Sequence, residues 1–252
     1  MIHDDTNFIF NQYGRLHRDQ LVCQDQFVGT IICNNGCYQT SVACQNQGND
    51  IFGLQKQTRS GSQQRDNIDY HNFRMKNNPM IVVVLESPHV SEFGISGQNF
   101  TTAPAWGKTG DRFNTQFIKL LNNHLATTLS KIKKIDYDVY FVNAIRYQTS
   151  LGLCPIIPGL RDYIFKDMWI NYGFDDDFKE RISILNPEIV INAVTKNLKQ
   201  LVNYVITTTL TGSFCFQASE HPIGRNCLIS LVAVISVWKS SSSFIFPERA
   251  EA

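Results

Sequence analysis

Four short runs set the fold of this chain. Met80-Ile81-Val82-Val83-Val84-Leu85 is continuously apolar and rich in β-branched residues. Such a run needs cover on both faces, which is the pattern of a strand inside a parallel sheet. Asp138 to Asn143, Glu188 to Ala193 and Ser213 to Ala218 repeat the theme, the last with a mixed pattern. Helical spacing fills the gaps. Phe113, Phe117, Leu120, Leu121 and Leu125 recur at helical intervals, Tyr163 to Leu185 holds one or two helices, and Thr195 to Val205 holds another. The run from Asn226 to Trp238 has apolar residues at 228, 231, 235 and 238, which reads as a buried helix. Alternating strands and helices predict an α/β domain over residues 80–240. The expected architecture is doubly wound, with a mainly parallel four-stranded sheet flanked by helices.

Residues 1–79 differ. They are rich in Asn and Gln and their apolar runs are short. Phe27 to Cys33 and Cys37 to Cys44 flank Asn34-Asn35-Gly36, the signal of a β-hairpin. Residues 55–67 are polar without periodicity and read as a linker. The expectation is an N-terminal β-rich extension in front of the α/β domain. After it, the Ser240 to Ser243 run opens a flexible tail over 241–252.

Composition narrows the class. A chain of 252 residues, 43% hydrophobic, can bury a sizeable core. The longest near-apolar run, Leu228 to Trp238, is too short to span a bilayer, and Met1 to Asp5 does not begin like a secretory signal. A cytoplasmic monomer without a membrane partner is expected. Seven cysteines, an odd and scattered set, argue against a disulfide scaffold. A net charge of +1 argues against a protein that coats nucleic acid. It leaves room for one that grips nucleic acid through a small patch.

In open parallel sheets, ligands bind beyond the carboxyl ends of the strands. The first strand here runs out into Glu86-Ser87-Pro88-His89, the second ends at Asn143, and the fourth leads to Ser219-Glu220-His221-Pro222-Ile223-Gly224-Arg225-Asn226. Each residue alone has an ordinary structural reading, as a capping carboxylate, a turn amide or a loop imidazole. Together they place a carboxylate, an amide and an imidazole at three strand exits.

The order and spacing of these motifs resemble the uracil-DNA glycosylase superfamily, with the closest look to its iron–sulfur bacterial and archaeal branch. Leu85-Glu86-Ser87-Pro88-His89 stands where that branch has Gly-Glu-Ala-Pro-Gly. Pro104-Ala105-Trp106-Gly107-Lys108-Thr109-Gly110 looks like its Pro-Phe-Val-Gly-x-x-Gly segment. Val139 to Asn143, Asn186 to Ile191 and His221-Pro222 follow in the family's order. The resemblance covers about residues 80–240 and implies removal of a pyrimidine base flipped out of DNA, leaving an abasic site.

The residue types suit that chemistry. Glu86 would stabilise the sugar cation and position or deprotonate a water, and His221 would stabilise the leaving base anion. Asn143 would read the base edge, with Ser87, Pro88, Ala105 and Trp106 completing the base pocket. Lys108, Arg112 and Arg225 would meet DNA phosphates, and Ile223 would wedge into the base stack. Ala105 departs from the aromatic residue on which the relatives stack the base. Either Trp106 stacks instead, or the pocket is enlarged. An enlarged pocket suits uracil less than a bulky modified cytosine, such as the glucosylated hydroxymethylcytosine of phage DNA, and with it a role in antiviral defence.

The branch's iron–sulfur cysteines are incomplete, since Tyr147 stands at one of their places and Cys154 lies seven residues on. No cofactor is expected. Zinc or an iron–sulfur cluster on Cys23, Cys33, Cys37 and Cys44 is the alternative, at a spacing that matches no recognised zinc pattern. Gly107-Lys108-Thr109 is not a phosphate-cradling loop, because position 102 is Thr where that motif needs Gly. Two other functions fit the same residues: a binder of modified or damaged DNA that does not cleave it, and a hydrolase of small nucleosides or nucleotides.

Overall fold

The computed structural model describes residues 22–40, 67–75, 77–88, 92, 104–105, 110, 113, 117–118, 121–122, 135–147, 149, 160–218 and 231–233. In chain order the elements are β1 (Gln26–Asn34), β2 (Cys37–Thr40), β3 (Met80–Leu85), β4 (Tyr137–Asn143), α1 (Leu160–Asn171), α2 (Phe174–Leu185), β5 (Ile189–Asn192), α3 (Lys196–Thr209), β6 (Phe214–Ala218) and β7 (Leu231–Ala233). The strands form one sheet in the order β2-β1-β4-β3-β5-β6-β7.

The class is α/β, and the sheet is wider and more mixed than the mainly parallel four-stranded one that the sequence predicts. β4, β3, β5 and β6 pair in parallel, whereas β1 joins β4 and β7 joins β6 in antiparallel fashion. The hairpin of the N-terminal extension joins this sheet, through β1 on β4. Its turn is the expected one. Asn35 (φ 51°) and Gly36 (φ 78°) both adopt the left-handed conformation that a two-residue Asn-Gly turn requires. At the other edge, the expected helix over 226–238 is corrected, because Leu231–Ala233 is a strand. Helical spacing over so short an apolar run does not by itself exclude a strand, and the open edge of β6 supplies hydrogen-bond partners to an extended chain.

β3 and β4 are buried at every position, as the unbroken apolar runs require. Side chains of a strand alternate between the two faces, so β3 feeds two cores. Ile81, Val83 and Leu85 pack with Phe113, Phe117 and Leu121 from the β3–β4 connection. Met80, Val82 and Val84 pack with Phe165 and Trp169 of α1, Phe178 and Ile182 of α2, and Leu198 and Val202 of α3. The chain thus steps from β3 to β4 across one face, then reverses to β5 and β6 across the other. A change of direction coupled to a change of face is what right-handed crossovers produce. The reversal occurs around β3, and the crevice it opens at the carboxyl ends is where α/β sheets hold ligands.

Candidate active site

Three strand ends meet at that crevice. Leu85 lies opposite Asn143 in the parallel register of β3 and β4, and Val84 lies opposite Asn192 in that of β3 and β5. The sheet ladder continues one step past the strands. Ala144 N–H donates to the Leu85 carbonyl, Ile145 N–H to that of Glu86, and Ala193 N–H to that of Val84. The backbone at all three exits is therefore fixed.

Glu86 is buried, with 9% of its surface exposed. Its Oε2 accepts hydrogen bonds from the hydroxyl of Thr195 and, at 3.4 Å, from the Thr195 N–H. Arg161 Nε lies 3.1 Å from Oε1. Thr195 is the residue before α3, and its hydroxyl makes no capping bond to that helix. Glu86 thus sits at the positive end of the α3 dipole. Burial pushes its carboxyl above the ordinary glutamate value, against the opposing pull of Arg161 and Thr195. A carboxyl raised in this way is suited to proton transfer closer to neutral pH.

Arg161 is shared. It also donates to Asp162 Oδ1 at 2.8 Å and reaches Thr195 Oγ1 at 3.5 Å. Asp162 Oδ2 accepts from Asn197 of α3 at 2.8 Å. Burial pushes the Asp162 carboxyl up, but the hydrogen bonds from Asn197 and Arg161 leave it below its ordinary value.

Asn143 is wholly buried, and neither Oδ1 nor Nδ2 has a hydrogen-bond partner among the described residues. Leaving a buried amide unmatched costs about 1–3 kcal/mol, so an amide kept in this state is available to a ligand. Its main chain is held on both sides. The Asn143 N–H donates to Asp25 Oδ1 at 2.9 Å, and its carbonyl accepts from Arg181 Nη1 at 3.0 Å. Arg181 also donates to the Ala144 carbonyl at 3.0 Å, to Asp25 Oδ2 at 2.6 Å and to Asp177 at 2.9 Å. Tyr70 O–H completes the cluster on Asp25 at 2.7 Å. Burial disfavours the Arg181 charge, but Asp25 and Asp177 overcome it and hold the guanidinium firmly protonated.

The remaining expected residues divide. Ser87 shares a 2.5 Å hydrogen bond with Thr149, and Pro88 is buried beside it in the chain. Ala105 is fully buried with a left-handed backbone (φ 58°), in the same core cluster as Leu85 and Ala193. Trp106, Lys108, Arg112, His221, Ile223 and Arg225 lie outside the described residues. Among the described residues, no group of three or more His, Cys, Asp or Glu could hold a metal ion. Cys23 precedes β1, and Cys33 and Cys37 flank the turn at its far end. A nine-residue strand spans roughly 25–30 Å, so these three thiols cannot share one ion. Cys44 lies outside the described residues.

Sequence reasoning missed Arg161, Thr195, Asp25 and Arg181. Two of them carried a signal. Thr195 stands at the cap position between a strand and a helix. Arg181 falls on the apolar stripe of α2, with Phe174, Phe178, Ile182 and Leu185, where a charge has to find a buried partner.

No family model, no curated protein and no solved structure matches this chain.

Proposed function

We propose that this protein is a DNA N-glycosylase that takes a flipped-out pyrimidine nucleotide and hydrolyses the bond between sugar and base. The observation that carries the reading is the buried, unmatched amide of Asn143, one strand away from the buried carboxyl of Glu86. A flat donor–acceptor pair held by a rigid backbone suits a pyrimidine edge, which presents a complementary pair. In the reaction, the bond from sugar carbon to base nitrogen breaks and its electrons leave with the base. Water adds to the sugar carbon and gives up its proton to ionised Glu86. His221 would stabilise the departing anion. The base would be uracil or a bulky modified cytosine.

The test is incubation with DNAs carrying uracil, hypoxanthine or glucosylated hydroxymethylcytosine, scored by alkali cleavage and released base. Wild type should release one of these bases, and Glu86→Gln should release none. Full activity in Glu86→Gln removes the assignment. A second reading, a binder of modified DNA that does not cleave it, draws support from the engagement of both Glu86 oxygens by Arg161 and Thr195. It predicts tight binding and no abasic product.

A further inference from the structure

We propose that Arg161 is a positioning residue that sets both the orientation and the charge state of Glu86. It acts from α1 on a carboxylate that β3 carries and α3 receives.

Three observations converge. First, Arg161 is the cation bonded to Glu86, at 3.1 Å, while its side chain keeps 40% of its surface exposed. It is far more open to solvent than the group it governs, which keeps 9%. Second, the guanidinium does not rest on Glu86 alone. Asp162 takes a second hydrogen bond from it, and Asn197 of α3 takes hold of Asp162. The fork is therefore fixed from two helices. A planar guanidinium presents its donors in a rigid fork that fixes both contacts in one geometry, whereas an ammonium carries the same charge on a flexible stem. Third, Thr195 approaches Arg161 at 3.5 Å and donates its hydroxyl to Oε2, so each oxygen of Glu86 has its own donor. Such a carboxylate cannot rotate without breaking one of these bonds.

Among the described residues, the charges that bear on Glu86 are those of Arg161, which favours its ionised form, and Asp162, which disfavours it, both in α1. Thr195, the residue before α3, adds its hydrogen bonds. Burial works against ionisation. Removing the Arg161 charge therefore moves the Glu86 titration to higher pH. If Glu86 must be ionised to accept a proton from water, the acid limb of activity moves with it.

This inference rests on the glycosylase reading for its catalytic consequence, but its first test needs no substrate. Carbon-13 NMR of the Glu86 carboxyl carbon, in the full chain, compares wild type with Arg161→Gln and Arg161→Lys. The Gln variant should titrate at higher pH, and the Lys variant should return close to wild type. An unchanged titration in Arg161→Gln overturns the proposal, whatever the DNA assays give. Single-turnover base release from uracil-containing duplex is then followed against pH. Arg161→Gln should fall about tenfold further behind wild type at the acid end than at the alkaline end. A uniform loss that tracks a lower Tm means that Arg161 only tethers α1, and overturns the proposal. A wild type that releases no base from any of the test DNAs sinks the glycosylase reading and leaves the NMR result to decide the role of Arg161.

Discussion

Asn143 and Asn192 end the two strands on either side of β3, and both are wholly buried. Asn192 spends its amide on its own turn. Oδ1 accepts from the Val194 N–H at 3.1 Å and Nδ2 donates to the Lys199 carbonyl at 3.2 Å, which locks the start of α3 to the end of β5. The Asn143 amide makes no such bond among the described residues, although its main chain is gripped by Asp25 and Arg181. The same residue type at equivalent strand ends thus does opposite work. At β5 the side chain holds the backbone. At β4 other side chains hold the backbone and the amide is left over. A buried amide without a hydrogen-bond partner among the described residues is the better candidate for a binding role.

The contrast can be broken most forcefully through the grip on Asn143. Arg181→Met leaves Asp25 buried without its cation, while Asp177 keeps Arg146, and should cost about 3–5 kcal/mol. Chemical denaturation reads this loss. Asn192→Leu comes next. It strips partners from the Val194 N–H and the Lys199 carbonyl, for an expected loss of about 1–3 kcal/mol. Asn143→Leu should leave the denaturation midpoint unchanged or raise it, while base release and pyrimidine binding disappear. Equal destabilisation by the two Asn substitutions would erase the distinction between the strand ends. The smallest effect concerns Glu86. Its folded-state pKa is raised, so the unfolded chain gives up the proton first. Stability should therefore fall as pH rises from the ordinary glutamate value through the raised one. Glu86→Gln should flatten that slope in denaturation series run at several pH values.

Much of this arrangement could be read from local sequence. β3, β4 and β5 follow continuous apolar runs and β6 a mixed one, the Asn-Gly turn dictates its own conformation, and Glu86 and Asn143 are polar residues that close buried runs. What escaped depends on distance along the chain. Nothing near residue 27 indicates that Phe27 lies opposite Tyr140 in β1 and β4. Arg161 reaches Glu86 across an intervening strand, and Asp25 meets Arg181 across the whole centre of the fold. An arginine at the start of a helix looks the same in sequence whether it faces solvent or steadies a carboxylate. The run at 226–238 failed for the opposite reason. Its spacing satisfied a helix template, but hydrogen bonds to β6 decided the outcome.

The Asp25–Arg181 pair also bears on how the chain is made. Its two members are 156 residues apart, and ribosomes add about 5–20 residues per second. Asp25 therefore leaves the ribosome roughly 8–30 s before its cation exists. Until residues 137–143 are made, part-way through that interval, the hairpin has no β4 to join, and the β1 edge that will bond to β4 is open. An unpaired strand edge is a template for pairing with other chains. Nascent chains arrested before residue 137 should therefore aggregate or occupy chaperones, and chains released after α2 is complete should not. The strand that carries the candidate base-reading amide is thus also the one that ends the most hazardous stage of synthesis.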